Sequence, residues 1–174
     1  MRLTAFTDYT LRTLIYLGLR PQKLVTIADI AGAYDISANH LMKVVHQLAQ
    51  SGDIVTLRGQ HGGLRLARPA DQINLGAVVR RTEPDMEIAT CFGSDPGCRI
   101  RTVCVFSNIL GEALQGFLAV LDRYTLADLI AGHRDSLVSL LGIPDETYPA
   151  AVALPNATEI AWESVVPSGS SLEP

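Results

Sequence analysis

Cys91, Cys98 and Cys104 are the three cysteines of the chain, and they stand close together as Cys-x6-Cys-x5-Cys. An odd, clustered set of thiols in a chain of intracellular type points to metal binding or redox chemistry rather than to a structural disulfide. Gly93, Pro96 and Gly97 lie between them and suit a backbone that wraps a compact centre. Cys104 falls where a long helix is expected to begin, so the unpaired N–H groups of a first turn suit a negatively charged sulfur ligand there. Three thiolates are one short of the four that commonly hold an iron–sulfur cluster or a structural zinc. A fourth ligand must come from elsewhere, and a weaker one leaves one iron open to a small molecule. Zinc, three free thiols, and a redox disulfide with one spare cysteine are the rival readings; the paired Cys-x2–4-Cys spacing usual for zinc is missing.

A second group of residues can read nucleic acid. Asn39, His40, Lys43, His46, Gln47 and Gln50 form the polar face of an amphipathic segment. Amides pair with adenine edges, and lysine takes guanine or phosphate. A recognition helix sets its N-terminal residues against bases, which favours Ser37, Asn39, His40 and Lys43. Downstream, Arg58, His61 and Arg65 flank or occupy Gly59-Gln60-His61-Gly62-Gly63, a tip that lets backbone and arginine approach a narrow minor groove. His40, His46 and His61 read as polar surface rather than metal ligands, and His133 reads as a loop residue without a specific role.

The elements that must position these groups are legible in outline. Thr7 can cap a first helix running to about Leu19, with Asp8 in its first turn. Thr26-Ile27-Ala28-Asp29 has the Thr-x-x-acid start of a second helix that ends near Tyr34. Asp35-Ile36-Ser37 is a turn, and Ser37 can cap a third helix. Leu41, Val44, Val45 and Leu48 give that helix a buried face, and Gly52 stops it. Ile54–Arg58 and Leu64–Ala67 alternate as two strands around the glycine-rich tip. Asn74 can cap a helix to about Arg81, after which periodicity is lost. A long helix of roughly 33 Å is expected from about Thr102 to Arg123. Val103, Phe106, Leu110, Ala113, Phe117, Leu121 and Tyr124 form one apolar row on it; Leu114 and Leu118 form a second. That apolar surface is too wide for one small domain to cover, so a partner helix is expected. Thr125-Leu126-Ala127-Asp128 begins one more short helix.

The expected fold class is therefore mainly α with a small β-wing, a winged helix-turn-helix domain plus a long dimerisation helix. The expected domains are a DNA-binding unit over 1–82, a cysteine loop over 83–104, dimerisation helices over 102–143, and a partly disordered tail over 144–174. Charge agrees: residues 1–82 carry ten Lys/Arg and five Asp/Glu, residues 83–174 four and thirteen. The overall net charge of −4 hides a basic half suited to phosphates and an acidic half kept from them. Hydrophobic content of 48% supports a real core. No apolar run is long enough to span a membrane, and Met1-Arg2-Leu3-Thr4 lacks a signal-peptide pattern, so a cytoplasmic location is expected. No acid/base pair or nucleotide motif suggests an enzyme.

Several stretches in order resemble the NsrR-type family of nitric-oxide-sensing iron–sulfur repressors: Leu3-Thr4-x-Phe6-Thr7-Asp8-Tyr9-x-Leu11-Arg12, Asn39-His40-Leu41-x-Lys43-Val44, Arg58-Gly59-x-x-Gly62-Gly63-x-Arg65-Leu66, the three cysteines, and Leu121-Asp122-x-Tyr124-Thr125-Leu126-Ala127-Asp128-Leu129. The resemblance covers about residues 1–141. It implies a homodimer whose winged domains each read half of a palindromic double-stranded operator. It implies a cluster, 4Fe–4S with 2Fe–2S as the alternative, on Cys91, Cys98 and Cys104, with Asp8 of the other subunit as fourth ligand. Nitric oxide is then the effector, and nitrosylation releases DNA. Regulators of iron–sulfur assembly of the IscR type carry a histidine where this chain has Ser107, which disfavours that subtype. An iron-responsive RirA-like regulator, or a thiol-redox regulator of the same fold, is the alternative.

Overall fold

The computed structural model describes residues 2–59, 61–89, 99–100 and 103–144. The chain opens with α1 (Ala5–Leu19), followed by α2 (Ile27–Tyr34) and α3 (Ala38–Gln50). Strands β1 (Ile54–Leu57) and β2 (Gly63–Leu66) then form an antiparallel ribbon. After a short 3-10 turn come α4 (Leu75–Thr82), α5 (Val105–Leu121), α6 (Leu126–Ala131) and α7 (Arg134–Leu140). The fold is mostly helical with one two-stranded wing, the class expected from the sequence.

Thr4, not Thr7, caps α1: its hydroxyl accepts the Thr7 N–H at 3.2 Å. Thr7 is instead buried inside the helix, and its hydroxyl donates to Thr82 Oγ1 at 2.9 Å. Thr10 and Thr13 are buried too, and they donate back to the carbonyls of Phe6 and Tyr9. Helix α2 starts with a full capping box between Thr26 and Asp29, which satisfies two end donors at once. It ends at Asp35, whose φ of 51° is left-handed; a short polar side chain tolerates that conformation, and the turn into α3 needs it. Ser37 occupies the cap position of α3 without making a side-chain cap bond.

The wing pairs Ile54 with Leu66 and Leu57 with Gly63, so β2 begins one residue earlier than expected. Val25 joins the ribbon through two backbone bonds with Leu64, of 2.9 and 2.7 Å, which fixes the wing to the link between α1 and α2. The core gathers Leu14 and Leu17 of α1, Ile30 of α2, Leu41, Val44 and Leu48 of α3, Leu64 of β2 and Val78 of α4. Leu126, Ile130 and Ile143 belong to the same cluster. The chain after α5 therefore folds back on α1 and completes the core formed by α1–α4 and the wing.

Helix α5 has 17 residues, about 26 Å at 1.5 Å per residue, shorter than expected. Its inner row is Leu114 and Leu118, both buried, and it packs on α4. The outer row is Phe106, Ile109, Ala113, Gly116 and Val120, at alternating steps of three and four; every member is exposed, Phe106 at 61% and Ile109 at 54%. An exposed apolar row is present as expected, but it is turned from the expected one: Leu110, Phe117 and Leu121 are half-buried, and Ile109 and Val120 stand exposed beside Phe106 and Ala113, without cover among the described residues. His133, expected in a loop, stands at the N-cap of α7. Residues 145–174, where a disordered tail was expected, lie outside the described residues. Among the described residues no helix is long and apolar enough to cross a membrane.

Candidate DNA interface and metal centre

Helix α3 sorts its side chains cleanly. Leu41, Val44, Val45 and Leu48 face the core, so Asn39, His40, Lys43, His46 and Gln50 are left exposed on the opposite side, with Ser37 just before them. The His40 ring stacks on Tyr9 of α1 with centroids 5.9 Å apart, which sets its direction. Gln47 departs from the expected polar face. It is half-buried, and its Nε2 donates to the Arg81 carbonyl at 2.8 Å, tying α3 to α4.

Arg58 and His61 are exposed at the wing tip. The tip closes through a Gly62 N–H bond to the Gly59 carbonyl, 2.9 Å long, with Gly59 at φ 111°. A Cβ on Gly62 would overlap the carbonyl oxygen of Leu57, so only glycine fits this turn. Arg65 sits on β2 opposite Val55 and is half-buried; its Nε finds no partner among the described residues.

Cys91 and Cys98 lie outside the described residues. Cys104 is half-buried at the N-cap of α5, and its sulfur caps no backbone N–H. Asp8 stands in the first turn of α1 and pairs with Arg12 Nε at 2.9 Å. The Arg12 guanidinium in turn lies 5.7 Å over the Tyr34 ring. Among the described residues no three His, Cys, Asp or Glu side chains gather closely enough to hold a metal. The donor chemistry nonetheless fits an iron–sulfur cluster. One short segment supplies three thiols, and Asp8 is a carboxylate whose ion pair is partly exposed and open to exchange.

The segment that carries the cysteines has well-defined roots. It leaves α4 at Thr82 and Glu83. Thr82 receives the Thr7 hydroxyl, and Glu83 Oε1 accepts from the Thr4 N–H at 2.9 Å and its hydroxyl at 3.2 Å. It reaches α5 at Cys104. Helix α5 then returns to the start of α4. Asp122 makes two bonds to Arg80, of 2.5 and 2.7 Å, and Asn74 Nδ2 donates to the Asp122 carbonyl at 2.7 Å. The Arg80 hydrogen bonds hold the Asp122 carboxyl below the usual carboxylate range, and Arg80 is raised in turn. Asp128 is lowered by the Thr125 N–H and hydroxyl that it caps. Helix α5, with its exposed apolar face, is therefore fastened to α4 at Asp122, and α4 to α1 at Thr82 and Glu83.

The sequence reading missed one group. Asp53, 1% exposed, accepts from Ser51 Oγ at 2.7 Å, Arg81 at 2.5 Å and Arg68 at 3.0 Å. Nothing in Ser51-Gly52-Asp53 marks that carboxylate as buried. The available signal was the pair of arginines whose charges need a partner.

Comparisons with known proteins agree with this architecture. The profile of the Rrf2 family, described as an iron-dependent transcriptional regulator, matches residues 3–132. The chain is 49% identical over 137 residues to the HTH-type transcriptional regulator NsrR of Bacillus subtilis (strain 168), covering 78% of this chain and 94% of that protein. It is 45% identical over 143 residues to the regulator of the same name from Halalkalibacterium halodurans, covering 81% and 97%. Among solved structures, T. potens IscR superposes with a TM-score of 0.63 at 20% identity, over 78% of this chain and 90% of that one, a likeness of fold.

Proposed function

The chain belongs to the Rrf2 family as a DNA-binding transcriptional regulator of NsrR type, not an enzyme, and we propose that it is a homodimeric repressor whose hold on its operator depends on an iron–sulfur cluster and is released by nitric oxide. The observation that carries this reading is the position of Cys104. It joins the cysteine segment to the head of α5, while the other root of that segment rests on the DNA-reading unit. Cys91, Cys98 and Cys104 would hold the cluster, 4Fe–4S in the first instance, with Asp8 of the other subunit as fourth ligand. When bound, such a cluster supplies iron that reacts with nitric oxide.

The chain's own residues do the rest. Bound to iron, the three thiolates would join the end of α4 to the head of α5 through one centre. Asp8, which pairs with Arg12 in one chain, would leave that pair to act as a ligand and so would tie the first turn of α1 to the other subunit. Phe106, Ile109, Ala113 and Val120 pack against their copies; their exposure in one chain supports this dimer. The dimer sets two copies of α3 about one helical turn apart on a palindrome. Ser37, Asn39 and His40 then meet bases in the major groove with Lys43 beside them on a phosphate, while Arg58, His61 and Arg65 follow the backbone and minor groove.

Oxygen-free purification followed by iron and sulfide analysis and a visible spectrum tests the cluster. Iron and sulfide in comparable amounts are expected, with a spectrum that nitric oxide changes. Cys91→Ser, Cys98→Ser and Cys104→Ser should each lose iron. Colourless, iron-free protein that still binds and releases DNA would overturn the proposal.

A further inference from the structure

The end of α4 is a junction of four elements, and Asp53 lies at its centre. Arg81, in the last turn of α4, gives its side chain to Asp53 and its carbonyl to Gln47 of α3. Arg68, just past β2, binds the other oxygen of Asp53 and the α3 end carbonyls of Ser51 and Gly52 at 3.3 and 3.2 Å. The Asp53 backbone completes the knot: its N–H donates to Leu48 of α3 at 3.0 Å, and its carbonyl accepts from Ala67 at 2.9 Å. The next two residues, Thr82 and Glu83, hold α1 and begin the cysteine segment.

We propose that Asp53 is the positioning residue that carries the pose of the cysteine segment's root to the DNA-reading parts, by gripping α4 through Arg81 and the wing through Arg68. The carboxylate is buried, and among the described residues its two guanidinium partners and Ser51 are what compensates it, so it resists releasing either arginine. A turn of the α4 end must therefore drag the wing base and the α3 end with it. Arg68 and Arg81, each more than a third exposed, nonetheless turn their guanidinium groups onto the buried Asp53, although their charge suggests phosphate contacts. Helix α4 and the wing base share this one side chain, while the Asp53 backbone ties the wing to α3.

The inference rests on the reading of the chain as an iron-dependent operator-binding protein. Its test uses the full-length protein and an operator duplex obtained by in vitro selection. Affinity is measured with iron loaded and after chelation, for wild type, Arg81→Gln and Arg81→Lys. Arg81→Gln should keep its iron yet shrink the loaded-to-stripped affinity ratio about tenfold, a coupling of ordinary size for neighbouring groups. Arg81→Lys, which keeps the charge but not the fork, should restore part of it. A wild-type ratio in Arg81→Gln, with only a lower thermal midpoint, would make the group a brace and overturn the inference; so would loss of iron in that variant. A wild-type ratio of one defeats the functional reading instead, and amide exchange on metal-free protein then decides this one. Thr82→Val should speed exchange in β1 and β2 about tenfold, and should add nothing when Arg81 is already Gln. Independent effects of the two substitutions would overturn it.

Discussion

At the scale of single residues, environment rather than residue type assigns the roles. Tyr34 is pushed up to about 12, mainly because burial penalises the phenolate; Arg12 opposes this, while Tyr16 and Asp8 reinforce it. Its folded value lies above the ordinary 10, so the stability it contributes is complete below pH 10 and is lost as pH rises through about 12. An alkaline titration followed by phenolate absorbance should show a late equivalent that Tyr34→Phe lacks. Lys43 is exposed on the outer face of α3. Lys43→Ala should weaken operator binding and lower the salt dependence by about one ion equivalent, measured by anisotropy across salt concentrations. An unchanged slope would take Lys43 off the phosphates and leave it to the bases.

At the scale of elements, caps and close approaches decide where helices begin and how they meet. Asn74 caps α4 through the Ala77 N–H at 3.0 Å and also holds the carbonyl of Asp122. Asn74→Ala should cost about 1 kcal/mol or somewhat more in chemical denaturation. Gly76 lies so close to Asp122 that a Cβ there would overlap the carboxylate and displace Arg80. Gly76→Ala should therefore swing the Asp122 and Arg80 side chains apart and loosen α5 from α4, read as faster amide exchange in α5, with little change in thermal midpoint because both side chains can move into solvent. These elements also show what a sequence reveals. The capping motifs at Thr26 and Thr125 and the period of Leu41, Val44 and Leu48 were legible because each is a local pattern with a local cause. The start of α1 was misplaced because Thr4 and Thr7 offer the same hydroxyl three residues apart, and only the contact with Thr82 separates them. Helix α7 was not anticipated since it buries no residue fully and so leaves little periodic trace. Asp53 was missed, and Gln47 was placed on the outward polar face, because their partners Arg68 and Arg81 are distant in sequence.

At the scale of the whole molecule, one surface remains to be explained, and one link runs toward it. The row from Phe106 to Val120 is apolar and exposed among the described residues, while α5 that bears it is bound to α4 at Asp122 and starts at Cys104. Ile109→Glu should place a charge in the centre of that row and convert a dimer to monomer in sedimentation, with the monomer's circular dichroism preserved. A dimer that survives the substitution would move the interface elsewhere. The charge division runs along the sequence: the half that carries α3 and the wing, residues 1–82, is the basic one, and residues 83–174 are acidic.

The central claim is that thiolate ligation of iron by the cysteine segment decides whether the paired winged domains fit their operator. Its most direct test is anaerobic titration of nitric oxide into the iron-loaded protein on an operator duplex, with affinity and visible spectrum followed in the same cuvette. The account predicts that loss of DNA binding tracks the spectral change, and that Cys104→Ser protein, lacking iron, binds weakly and ignores the gas. Release of DNA by nitric oxide from protein without iron, or unchanged binding after the spectrum has fully changed, would contradict it.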